Sequence, residues 1–299
     1  MGAIEIQGLT KKYGNLLALD NLNLEVSLGE VLGYLGPNGS GKTTTIRLML
    51  GMIEPTAGKI TIFNKDALKQ KELVHKSVAY VPGEANLWPF LTGIETLKLL
   101  EQAHGTVDQK YRAELIKRFE LEPNKKVRAY SKGNKQKITL IAALAARAEL
   151  LILDEPTGGL DPLMEQVFKE SIVEAKNNGQ TVFLSSHILE EVESLCDRIA
   201  VLRDGKLVEL GSLSELKHLS AVTIEATFEG NPPSVERVKG VSNVKVHKNH
   251  LQCQVTGPVT ELLGVLTPAR PVTLLSREPS LEELFLSLYG ENGVGSTHE

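Results

Sequence analysis

Cysteine is nearly missing from this chain. Cys196 and Cys253 stand far apart in 299 residues and form no CxxC pair, which argues against a disulfide framework and against a cysteine-ligated zinc site. Charge of one sign is missing too. With 33 basic and 37 acidic residues the net charge is −4, a balance that gives no general attraction to nucleic acid or anionic lipid. Aromatic residues are sparse, and Trp88 is the only tryptophan. The most apolar region, 138–153, is broken by Arg147 and Glu149 and is too short to cross a bilayer. The opening MGAIEIQGLTKKYG lacks an apolar signal core, and Ile6 stands where myristoylation would need Ser or Thr. A soluble protein of a reducing compartment is expected, of about two domains.

Hydrophobic patterning is what the chain has instead. Residues 3–9 and 22–27 alternate apolar and polar like half-buried antiparallel strands, whereas VAYV (78–81), LLILD (150–154), TVFLSS (181–186) and RIAVL (198–202) are nearly continuous apolar runs. Such runs suit a parallel sheet covered on both faces. Between them, residues 93–147 read as helical. A boundary falls in GSLSELKHLSA (211–221). The order beyond it is strand (AVTIEATF), short helix (PSVERVKG), two strands joined by a hairpin (NVKVHKNHLQCQV), helix (258–266) and strand (VTLLS), a split βαβ arrangement. A last amphipathic helix starts at Ser280, with Glu283 completing a capping box, and the tail 290–299 is expected to be disordered.

The chemistry concentrates in three places. GPNGSGKT (36–43) matches the phosphate loop G-x-x-x-x-G-K-[ST] in full, between an apolar strand and a helix that begins with Thr43 and Thr44. Backbone N–H groups of Gly39, Ser40, Gly41 and Lys42 suit a β-phosphate; Lys42 reaches the β and γ oxygens, and the Thr43 hydroxyl suits Mg²⁺. Gly36, Pro37 and Asn38 complete the loop. LLILDEP delivers Asp154 and Glu155 to the C-terminal end of a strand, where ligands of α/β sheets gather. Asp154 suits Mg²⁺, and Glu155 suits general-base work on an attacking water. His187, after a third apolar strand, is placed to contact a γ-phosphate, and Tyr13 to stack on a purine.

With YSKGNKQK (130–137) and GGLD (158–161) these motifs form an ordered set over about residues 3–215, and the chain resembles the ATP-binding subunit of an ABC transporter. The closing REPSLEELFLSLYG also resembles the C-terminus of ATPases serving ABC-2 type exporters. The resemblance implies an α/β fold, a P-loop NTPase of the ABC type: a mostly parallel sheet, an antiparallel β subdomain and a helical subdomain in residues 1–215, with a small ferredoxin-like α+β domain over 222–289. It implies ATP and Mg²⁺ as ligands and a head-to-tail dimer, homomeric or heteromeric. In that dimer the Ser131 hydroxyl, the Gly133 N–H and the helix N-terminus that follows serve a nucleotide held by the other subunit's phosphate loop, and the resemblance also makes Asn134 and Asp161 of GGLD nucleotide-contacting residues.

It also implies an integral membrane permease subunit as partner, no specific nucleic acid, and a cytoplasmic place on the inner face of the cell membrane. Two departures stand out. The usual LSGGQ reads YSKGN, with Lys132 at the first glycine. The glutamine expected after VAYVP is replaced by Gly83, with Glu84 next. The competing class is a soluble ABC ATPase acting on ribosomes or DNA. A further alternative is a nucleotide-gated switch without turnover. The apolar loop NLWPFLTG (86–93) is expected either to dock a membrane subunit or to fold over the core.

Overall fold

The computed structural model describes residues 2–105, 107–218 and 222–277; the expected helix from Ser280 and the tail 290–299 lie outside the described residues. The chain divides into two units, Met1–Leu210 and Gly211–Glu299.

In the first unit, β1 (Gly2–Tyr13) and β2 (Leu16–Ser27) lead into β3 (Val31–Leu35), α1 (Lys42–Met49), β4 (Ala57–Ile62), β5 (Lys65–Asp66), α2 (Lys71–His75) and β6 (Val78–Val81). Three helices follow, α3 (Gly93–His104), α4 (Gln109–Arg118) and α5 (Lys132–Ala145). The unit closes with β7 (Leu150–Asp154), α6 (Pro162–Asn177), β8 (Thr181–Ser186), α7 (Leu189–Leu195), β9 (Arg198–Arg203) and β10 (Lys206–Ser212), whose end enters the second unit.

Two sheets result. The smaller has the order β2-β1-β4-β5, with antiparallel neighbours. The larger has the order β10-β9-β3-β8-β7-β6, and β9, β3, β8, β7 and β6 run parallel. The apolar runs explain this sheet, because alternate side chains feed two different cores. Val31, Leu151, Leu153, Val182 and Leu184 pack with the helices α4, α5 and α6. Leu32, Tyr34, Leu150, Ile152 and Phe183 pack with α1 and the smaller sheet. A strand buried on both faces needs apolar residues at every position. Polar residues begin at the C-terminal ends of β7 and β8. Tyr13, the residue expected to stack on a purine, is the last residue of β1.

The second unit holds α8 (Leu213–His218), β11 (Val222–Thr227), β12 (Val241–His247), β13 (His250–Val255), α9 (Thr260–Leu266) and β14 (Thr273–Arg277). Its sheet order, β12-β13-β11-β14, is antiparallel throughout and is that of a split βαβ unit. The helix expected in PSVERVKG does not form. Val238 N donates to Val235 O and Val241 N to Val238 O, so the segment is a pair of turns. Gly240 leaves the helical region at φ 81°, and only six residues separate it from Pro233, too few to repay helix nucleation. Val235 still reaches the core of this unit.

Candidate functional site

The phosphate loop links β3 to α1. Gly39 and Gly41 have φ of 84° and 111°, the left-handed region that L side chains avoid. At Gly41 a Cβ would also stand 2.8 Å from the Ala18 carbonyl oxygen and 2.7 Å from Leu19 Cδ2, so β2 braces the loop from behind. The turn between β9 and β10 braces it as well, Gly205 N donating to Ser40 O at 3.0 Å. Inside the loop, Lys42 Nζ donates to Gly36 O (2.6 Å) and Pro37 O (3.3 Å). Ser40 Oγ is buried with no hydrogen-bond partner. A buried orphan hydroxyl among aligned backbone N–H groups is what a ligand oxygen would satisfy.

The ends of β7 and β8 face this loop. Asp154 Oδ1 accepts from Ser185 Oγ at 2.9 Å and from Thr43 Oγ1 at 3.4 Å. Burial pushes its carboxyl up; the two hydroxyl bonds and Lys42 oppose this, and Glu155 adds to it. Next along, Glu155 sits at φ 50°, a conformation costing about 1–3 kcal/mol for a residue with a side chain, held by its N–H on Ser185 O at 3.0 Å. The strain turns its carboxylate toward the loop: Oε1 lies 3.3 Å from Lys42 Nζ, and Oε2 meets Nδ1 of His187. Lys42, Thr43, Asp154, Glu155 and His187 thus form one connected cluster.

Ser131, Gly133, Asn134 and Asp161 form a second cluster. Ser131 caps α5, its Oγ accepting from Asn134 N at 3.2 Å, and Asp161 caps α6 by accepting from Met164 N at 3.0 Å. A Cβ on Gly133 would lie 2.1 Å from Gly159 O, so the start of α5 and the GGLD turn are in backbone contact. Lys132 is exposed, with its Cγ and Cδ beside Gly159. Among the described residues no hydrogen bond or ion pair joins Ser131, Asn134 or Asp161 to the phosphate loop. Tyr13 is also outside the first cluster, its ring 45% exposed with Lys11 Nζ 4.9 Å from the centroid.

Sequence reasoning missed three contributors. Ser185 holds Asp154; its signal was the serine pair closing TVFLSS. Gly83 runs against the first cluster: a Cβ there would stand 3.1 Å from Asp154 O and 3.6 Å from Glu155 Cβ. Glu84 points to solvent, and the preceding carbonyl, Pro82 O, accepts instead from Gln136 Nε2 of α5 at 2.9 Å. The third is Glu191 on α7, 2% exposed.

Burial pushes the Glu191 carboxyl up to about 7, with Glu155 and Glu165 adding and the Ser186 and Thr157 hydroxyls opposing. Between the ordinary value of 4.5 and about 7 the folded chain keeps a proton that the unfolded chain has released. Stability therefore falls as pH rises through that window and levels off above it. Glu191→Gln carries no such proton. Its stability relative to wild type should increase from pH 5 to pH 8 by up to about 3 kcal/mol, read from thermal unfolding at the two pH values. A pH-independent difference would contradict the assignment.

A phosphate loop whose lysine touches a strand-end carboxylate, with a histidine on the other oxygen of that carboxylate, defines a P-loop nucleoside triphosphatase. The ABC transporter family model matches residues 19–158. The Nod factor export ATP-binding protein I of Rhizobium etli is 34% identical over 298 residues, covering 97% of this chain and 94% of that protein. The bacitracin transport ATP-binding protein of Bacillus licheniformis is 33% identical over 98% of this chain and 99% of its own length. Among solved structures, the ATP-binding subunit of an ABC transporter superposes with a TM-score of 0.68 at 32% identity, over 72% of this chain and 92% of that one. A dimeric ATP-binding cassette bound to ADP and Pi superposes with a TM-score of 0.62 at 28% identity, over 70% and 98%. This chain belongs to the ABC transporter ATP-binding family and is an ABC-type ATPase.

Proposed function

We propose that the protein binds and hydrolyses ATP in a head-to-tail dimer and thereby powers a separate membrane permease, an exporter. The observation that carries the dimer is the separation of the two clusters: the Ser131 end of α5 presents a capped helix N-terminus with no bond to its own phosphate loop. A second subunit's nucleotide is the ligand it suits. Export follows the name of the Rhizobium relative and transport that of the Bacillus one, and both favour this reading over the ribosomal or DNA-directed alternative. Dimerisation follows the dimeric cassette. Among the described residues no helix is long and apolar enough to cross a membrane, so placement on the inner face of the membrane would come through the permease.

In the free chain Lys42 is held by two loop carbonyls and by Glu155. An incoming triphosphate takes Lys42 from those partners and fills the space at the orphan Ser40 Oγ. Thr43 and Asp154 offer the oxygen donors that suit Mg²⁺, which would neutralise β- and γ-phosphate charge when bound. Glu155 then accepts the proton of the attacking water, and His187, on its other oxygen, keeps the carboxylate aimed.

The permease contact falls on the loop after Gly83. Trp88 and Phe90 are 49% and 75% exposed, while Leu87 packs on the larger core and anchors them. Two exposed aromatics on an anchored loop fit an apolar partner helix. Trp88→Ala should lower co-purification with the co-expressed membrane subunit at least about tenfold, as loss of a hot-spot tryptophan does, with basal ATPase activity kept. Unchanged co-purification would remove this loop from the interface.

A further inference from the structure

We infer that Glu191 is a positioning residue for His187, the partner of Glu155, and fixes the chain on either side of the histidine through Ser186. The inference rests on the reading of that pair as hydrolytic. His187 is itself poorly fixed by packing, its side chain being 58% exposed. What fixes it is the backbone on either side. The hydroxyl of Ser186 donates to Glu191 Oε2 and accepts from Ile188 N at 3.0 Å. These two bonds clamp the chain immediately before and after the histidine.

Glu191 itself belongs to α7, outside the segment it clamps. Its setting is unusual for a surface helix: Glu190 and Glu193 on α7 are exposed, whereas Glu191 is buried with Oε1 lacking a hydrogen-bond partner. An uncompensated buried polar atom is costly, and an apolar residue would fill the same space more cheaply. What the carboxyl supplies in return is its bond to Ser186, beside the histidine. An amide of the same shape keeps an oxygen that can accept from Ser186 Oγ, so glutamine can replace it.

The test measures ATP turnover and ATP affinity of the full-length chain with Glu191→Ala, Glu191→Gln and Ser186→Ala, each also combined with His187→Ala. Glu191→Ala should lower kcat by about 10- to 100-fold, the range for a catalytic group misplaced by about 1 Å, with Kd for ATP within about twofold of wild type. Glu191→Gln should restore kcat to within about threefold of wild type. On the His187→Ala background, Glu191→Ala should cost no more than about twofold further, because the group it positions is already gone. Ser186→Ala should reproduce the loss and keeps the test alive if Glu191→Ala does not fold. Wild-type kcat in both alanine variants would overturn the inference, and so would an undiminished loss on the His187→Ala background. Full turnover in His187→Ala alone would instead overturn the hydrolytic reading of the pair, and the inference with it.

Discussion

Glu155→Gln should bind Mg-ATP, close into a dimer and stop there. In the resting chain the Glu155 carboxylate has two charged or polar neighbours, Lys42 Nζ at 3.3 Å and His187 Nδ1. The amide keeps the shape and a weaker version of the histidine contact, but it cannot take a proton from water. General-base contributions of about 10²- to 10⁴-fold correspond to about 3–5 kcal/mol of barrier, so turnover should fall by that factor. Binding should not fall with it. Losing the ion pair to Glu155 releases Lys42 for the phosphates, so affinity should hold or rise. Light scattering in Mg-ATP would then report a species of twice 32.6 kDa, while wild type under turnover conditions stays mostly monomeric. Wild-type turnover in the variant would remove Glu155 from the mechanism.

What could be read in the sequence was what local chemistry dictates. A phosphate loop is a string of backbone conformations, and Gly39, Gly41 and Lys42 spell it within a few residues. Strand faces follow from apolar runs, and the runs ending in Asp154 and Ser186 already marked the edge of the sheet where ligands gather. The rest depended on residues far apart in the chain. Gly133 reads as a signature glycine. Its packing under Gly159 O comes from the meeting of α5 with a turn on the other side of β7, which no spacing rule reveals. Glu191 sits in LEEVESL, where three glutamates look like a solvated helix face; its burial arises because α7 lies against β3 and β8. The PSVERVKG segment departs from its helical pattern for the converse reason. Its apolar spacing is helical, but Gly240 ends the segment before a helix can propagate.

The Gly133 contact also decides how the signature segment should be probed. A side chain at position 133 would push on Gly159 within the same chain and damage the GGLD turn along with any function across the dimer. Ser131 is the cleaner target: it is exposed and caps α5 through Asn134 N. Aspartate is as good an N-cap as serine, so Ser131→Asp should keep the helix. It would also set a carboxylate against an incoming γ-phosphate, a repulsion of several kcal/mol at contact distance in a partly desolvated site.

Mixing this variant with Lys42→Ala tests the composite site directly. Each variant alone forms only defective sites, one through its loops and the other through its signatures. In a mixed dimer one site combines both defects, and the other combines an intact loop with an intact signature. With random pairing about half the dimers are mixed and each has one live site of two, so activity should return to about a quarter of wild type if the sites fire independently. The most direct reading is nucleotide trapping in isolated mixed dimers. The account predicts one ATP held per mixed dimer, on the chain that keeps Lys42. If mixed dimers form and hold none, the signature segment serves the nucleotide of its own chain, and the head-to-tail site is contradicted.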